Sequence, residues 1–243
     1  MTASLVCTLA LVGCASQSVD GPSSPATPTA SAAAQAEAPA SCADLDVSGV
    51  ISGASLGTWF SDSLQLAGTL RSTQFRGDTV TGHADVVLGP SFEIASTSNA
   101  DGVTLEARYV DGTTWADLGS GWIRGDATSS DPEEVIVAEA GSVALAMSSP
   151  EAFAAAIASC PTWHSTAPET LQTEGGPQPD ARTIECDGTL TLAGIDVTDA
   201  AVYFSEDWMP LGTRGTGSFM GVTTPFAAHY YDHGAPIDIE PPH

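Results

Sequence analysis

The 243-residue chain contains no lysine: its six cations are all arginines, set against 30 Asp and Glu, for a formal net charge of −24. Such a surface repels phosphate backbones, which sets nucleic-acid binding aside. It also repels anionic lipid headgroups, and it suits solubility in an extracellular setting. Long apolar runs are missing too: no stretch approaches the roughly 20 residues that a membrane-spanning helix requires. Aromatics make up only 7% of the chain, and cysteines number five. Their spacing is not that of a zinc site, which needs close pairs of ligands.

What the chain does have at its start is a short apolar run ending in Leu11-Val12-Gly13-Cys14. A bulky aliphatic, a small aliphatic and a glycine before cysteine resemble the lipobox of bacterial lipoproteins, where the thiol is acylated before cleavage. Cys7, after Ser4-Leu5-Val6, does not fit that pattern. Residues 1–13 then read as a lipoprotein signal peptide, although they carry no Lys or Arg where a secretory n-region is normally positive. Cys14 would carry the diacylglyceryl group and palmitate-like acyl chains. Two or three chains on one residue hold a protein stably on a membrane, where one does not.

Residues 14–41 are almost wholly Ala, Ser, Pro, Thr and Gln, too poor in apolar surface to offset the entropy of ordering. They read as a tether, spanning on the order of 30 Å as a coil and about 80 Å if polyproline-like. Residues 42–243 suit one domain with a sizeable core. Of the three remaining cysteines, Cys160 and Cys186 lie in the folded region and Cys42 at the end of the tether, so export makes a Cys160–Cys186 disulfide the expected pair.

Within the domain, period-two alternation marks strands. Leu64, Leu66, Gly68 and Leu70 alternate with polar neighbours, as do Val80, Ala84, Val86 and Leu88, then Phe92 and Ile94, then Val103, Leu105, Ala107 and Tyr109. Gly77-Asp78, Asp101-Gly102 and Asp111-Gly112 punctuate them, and strands joined so tightly are antiparallel. Helical spacing follows. Asp131 is placed to cap, Pro132 fits the first helical position, and Glu134 is placed to close a capping box. Ser149-Pro150-Glu151 starts a second, alanine-rich helix ending near Cys160. After a Pro- and Gly-rich loop, one strand is expected from Ile184 to Leu192, then others near 198–205, 209–220 and 225–231, with a short last one at Ile237 and Ile239. The fold class is α+β: a curved antiparallel half β-barrel whose concave face is covered by helices. A gap between sheet and helices is the natural place for an apolar ligand, with Leu66, Val86, Phe92, Ile94, Val103, Leu105, Ile136 and Leu190 as cavity candidates. A filled core and a hollow one give the same alternation.

Catalytic patterns are thin. Gly53-Ala54-Ser55-Leu56-Gly57 matches a nucleophile elbow, but that mechanism needs the serine on a turn between a buried parallel strand and a helix; Asp46 to Ile51 is not a buried apolar strand, and no alternating strand and helix series follows. His229 and His233 lie four apart in a strand-and-turn pattern, and His83, His164 and His243 are scattered. No metal site, cofactor or enzymatic activity is therefore expected. Trp59, Trp115, Trp122, Trp163 and Trp208 read first as core and strand-end residues.

Two segments carry a family likeness: the hairpin from Tyr109 to Trp122, with its Trp115 and Gly119-Ser120-Gly121-Trp122, and the C-terminal run from Tyr231 to Pro242. Both resemble the actinobacterial lipoproteins of the LppX and LprG type, half-barrel relatives of the LolA and LolB carriers, as does the turn Asp207-Trp208-Met209-Pro210-Leu211. The resemblance implies a hollow half-barrel that binds or carries lipids or lipoglycans as a lipid-anchored monomer on the extracytoplasmic face of the cell membrane. The alternative is a non-catalytic interaction or sensor module on the same fold with no lipid cargo. The chain departs from the family at Gly49, Gly53 and Gly57, which interrupt the region where relatives carry an amphipathic helix.

Overall fold

A computed structural model describes residues 48–89, 91–100, 102–219 and 222–243. The signal peptide, Cys14, the tether and Cys42 lie outside the described residues. The chain starts with β1 (Ile51–Ser52) and α1 (Gly53–Ala67), then an antiparallel run of β2 (Thr69–Arg76), β3 (Thr79–Val87), β4 (Glu93–Ala100), β5 (Val103–Val110), β6 (Thr113–Asp117) and β7 (Trp122–Arg124). Two helices follow, α2 (Pro132–Ser148) and α3 (Pro150–Ser159). The rest is strand: β8 (Thr162–Ser165), β9 (Glu169–Thr173), β10 (Gly176–Cys186), β11 (Leu190–Leu192), β12 (Ile195–Phe204), β13 (Pro210–Phe219) and β14 (Val222–Tyr231).

All fourteen strands form one antiparallel sheet in the order β1-β8-β10-β12-β13-β14-β2-β3-β4-β5-β6-β7, with β11 added to β12 and β9 to β10. The first and last strands do not pair, so the sheet stays open, and the three helices pack on it. Its edges are strands of two and three residues, short enough to offer little template for a neighbour. The Asp111-Gly112 turn between β5 and β6 has both residues at positive φ, 51° and 73°, the twist that a two-residue hairpin demands.

Register sorts the side chains into two faces. Leu70, Val86 and Ile94 line up on the face that carries the helices, and Val197, Val202 and Phe204 of β12 join them in the main core. There α1 contributes Leu56, Trp59, Phe60 and Leu64, with Trp59 stacked on Phe204 at 4.3 Å between ring centroids. Each such side chain contributes about 1.5–3 kcal/mol on burial. On the other face the β9–β10 hairpin folds back over the sheet around a second small core of Leu171, Ala181, Ala201 and Tyr203.

Several sequence expectations change. Leu64 to Leu70 is not one strand: α1 runs through Ala67 and ends where Gly68, at φ 72°, donates to the carbonyls of Leu64 and Gln65. A short apolar run fits either period, and the packing of α1 decided it. Leu66 therefore sits on a helix and is 47% exposed. Nor do the α1 glycines break that helix. A methyl at Gly53 would collide with the Cys160 carbonyl, and one at Gly57 would lie 2.5 Å from that of Ala154. Both glycines serve the close approach of α1 and α3, which outweighs their low helix propensity.

Asp131 caps α2 by accepting from the Glu133 amide, while its own amide donates to Ser129 Oγ, so Glu134 does not close a capping box. Ser149 ends α2 and caps α3, at a 60° bend between two helices neither of which is long and apolar enough alone to cross a bilayer. The strand expected from Ile184 to Leu192 is split between β10 and β11 by a turn, and the Pro- and Gly-rich loop is the β9–β10 hairpin. No strand forms at Ile237 and Ile239; the segment runs irregularly past β2 to β5, held by Thr69 Oγ1 donating to the Ala235 carbonyl at 2.6 Å and Arg108 to that of Glu240 at 2.8 Å.

Candidate ligand-binding site

Cover over the helix-bearing face is uneven. Under α1 and α3 the face is filled: Trp59, Phe60, Phe153, Phe204 and Trp208 form a continuous aromatic cluster with centroids 4.3 to 6.0 Å apart. At the other end, α2 lies over β6 and β7. Gly141 faces Thr114 so closely that any side chain there would clash with it, and Gly125 abuts Ala138. These contacts hold the middle of the helix against β6 and the segment after β7.

A hollow of about 440 Å³, open to solvent, lies where α2 meets the sheet, with Ala138, Ser142 and Leu145 on the helix side, Tyr109 and Thr114 on the sheet side, and the charged Arg124 and Asp126 on its wall. Its size falls within the range of small-molecule sites. The helix itself is unusual. Between Val135 and Met147 its only charge is Glu139, yet only Val137 and Gly141 are buried. A helix with so few polar residues normally buries most of its surface, and within this fold α2 buries little of its own.

The cavity candidates read from sequence fall elsewhere. Val86 and Leu190 belong to the packed core, Phe92 and Ile94 pack against its margin, and Val103 is 47% exposed at the end of the β4–β5 hairpin. Leu105 is half-buried on β5 and Ile136 half-buried on α2, and neither lines the hollow. The residues that do line it carry no local signal of a cavity: Tyr109 and Thr114 flank a hairpin turn, and Ala138, Ser142 and Leu145 have the composition of any helix. Gly141, mid-helix, was the available sign of a close contact.

Other chemistry resolves into structural roles. Ser55 lies in the first turn of α1, its hydroxyl 2.8 Å from that of the capping Ser52, after an antiparallel strand of two residues. That is a helix cap rather than a nucleophile elbow. The His229 ring bonds the Gln172 carbonyl at 2.7 Å and the His233 ring that of Pro210 at 2.8 Å, and burial holds both imidazoles below the usual histidine range. Among the described residues no group of three or more His, Cys, Asp or Glu gathers as a metal site. Cys160 and Cys186 form a disulfide that ties the end of α3 to β10.

Over the β9–β10 hairpin, Arg214 bonds Glu185 and lies 3.3 Å from Glu169, which also accepts from the Tyr203 hydroxyl. A second hollow of about 720 Å³ opens beside this network, lined in part by Asp78, Glu185, Asp187, Asp199 and Arg214.

Fold and hollow together define an open antiparallel sheet with helices on one face and a ligand-sized gap beneath one of them. Among solved structures, the chain is similar to the crystal structure of LprF from Mycobacterium bovis, with 10% sequence identity and a TM-score of 0.46 over 78% of this chain and 96% of that one. At that identity and score the match is a likeness of overall shape alone. No protein-family model and no curated protein matches the chain.

Proposed function

We propose that residues 42–243 form a non-catalytic lipid-binding domain that takes an acyl chain into the hollow between α2 and β5–β7, and that Cys14 and the 14–41 tether hold it, as a monomer, on the extracytoplasmic face of the membrane. The observation that carries the reading is the combination of a gap of about 440 Å³ with an apolar, thinly packed helix above it. Each methylene buried there contributes about 0.8 kcal/mol, so capture needs no charged contact. The disulfide agrees with an oxidising compartment outside the cytoplasm. Uptake of a fluorescent fatty acid by delipidated protein tests the reading: saturable binding supports it, and none refutes it.

One observation favours a second reading, an interaction or sensor module without lipid cargo. The aromatic cluster under α1 and α3 plugs that end of the helix-bearing face. Under this reading, native mass spectrometry after gentle purification shows the bare chain mass and no co-purified lipid.

A further inference from the structure

The chain has six cations for 30 carboxylates, and among the described residues Arg76, Arg108, Arg124 and Arg182 form no ion pair; of these, Arg182 is the one set in the wall of a cleft beside carboxylates and an unpartnered buried hydroxyl. Arg71 pairs with Asp85 and Asp232, and Arg214 with Glu169 and Glu185. Arg182 pairs with none among the described residues; its guanidinium lies 4.5 Å from the centre of the Trp208 ring. Stacking fixes the plane of the fork and leaves its N–H donors to a ligand.

Trp208 is itself held in an uncommon state. Its φ is +67°, a conformation that bulky side chains rarely adopt. The turn enforces it: the Trp208 amide donates to the Ser205 carbonyl at 3.1 Å, the Ser205 amide to that of Met209 at 2.9 Å, and the Met209 amide to Ser205 Oγ at 3.0 Å. Strain maintained by three hydrogen bonds, in the residue on which the unpaired arginine stacks, points to a site.

Arg182 and Trp208 line a cleft of about 490 Å³ with Thr166, Asp180 and Glu206. The Thr166 hydroxyl oxygen is buried without a partner among the described residues, and such an orphan in a cleft wall is a place for a ligand atom. Asp180 and Glu206 form no ion pair among the described residues. One guanidinium and two carboxylates give the cleft a negative balance, inside a protein already at −24. A simple anion is repelled from such a place, and a simple cation leaves the arginine unused.

We propose that this cleft binds a small zwitterion, with its phosphoryl or carboxylate oxygens on Arg182 and its ammonium on Asp180 and Glu206. The chemistry fits an ethanolamine-phosphate headgroup or a free amino-acid-like zwitterion. The cleft stands apart from the α2 hollow, and fatty-acid uptake reads that hollow separately, so either reading can fail alone.

The test titrates the purified full chain with phosphoethanolamine by calorimetry. Saturable binding is expected, weakened about tenfold or more in Arg182→Gln and only partly restored in Arg182→Lys, while Arg76→Gln, which removes one charge elsewhere, binds as the parent does. Inorganic phosphate and phosphocholine should bind about tenfold more weakly, since one lacks the ammonium and the other its N–H donors. Dihexanoyl phosphatidylethanolamine binding more tightly than the headgroup marks a lipid as the source; equal binding, together with binding of β-alanine, marks a free zwitterion. No saturable signal at about 10 mM overturns the proposal. So does phosphate binding as well as phosphoethanolamine, or Arg76→Gln weakening binding as much as Arg182→Gln. Circular dichroism of each variant guards against misfolding, and Arg182→Lys keeps the test open should Arg182→Gln fail to fold.

Discussion

Gly57 of α1 lies so near Ala154 of α3 that a methyl group on the glycine would come within 2.5 Å of the Ala154 carbonyl oxygen. With Gly53, which faces Cys160 one turn earlier, it sets the separation of the two helices that roof the aromatic core. Gly57→Ala should cost about 1–3 kcal/mol through overpacking, in spite of the better helix propensity of alanine. Urea unfolding measures it. An unchanged or raised midpoint would show that the helices can separate freely.

The Cys160–Cys186 bridge closes a loop with a sequence separation of 26. Chain-entropy arguments give a stabilisation of about 3 kcal/mol for a loop of that size. Replacing both cysteines by serine should lower the unfolding free energy by about that amount. Parent protein in reductant should behave in the same way.

Burial keeps His229 and His233 below the usual histidine range of about 6.5 in the folded state, despite the carbonyl that each ring bonds. The unfolded chain therefore binds protons that the folded one refuses, and the stability these residues contribute above pH 6.5 is lost as pH falls through and below that value. Unfolding midpoints taken between pH 7.5 and 5 should show a shallower decline for His233→Gln than for the parent. Parallel curves would mean that His233 titrates alike in both states.

Cys14 is expected to carry the anchor. Cys14→Ala should release the protein into the culture medium. Partition with membranes as before would refute lipidation.

Much of the sheet was legible because its strands bury one side and wet the other. The alternation of Val103, Leu105, Ala107 and Tyr109, and the Asp111-Gly112 turn that follows, translate directly into β5 and its hairpin. β9 was hidden because Glu169–Thr173 lies on the helix-free face, where Leu171 is its single buried side chain. The C-terminal isoleucines show no strand because hydrogen bonds from Thr69 and Arg108 hold that segment irregular, and such long-range contacts leave no local pattern. The hollow under α2 was out of reach for the same reason. It depends on Gly141 against Thr114, two residues 27 apart in sequence, and alternation marks a face as apolar without showing whether anything fills it.

The gap beneath α2 is the centre of the account, and filling it tests that most directly. Delipidated parent protein and Ser142→Trp, in which an indole from α2 fills the hollow and circular dichroism checks the fold, are titrated with a fluorescent fatty acid. Saturable binding by the parent and an affinity about tenfold lower or worse in the filled variant are expected. Failure of the parent to bind, or equal binding by both proteins, contradicts the account.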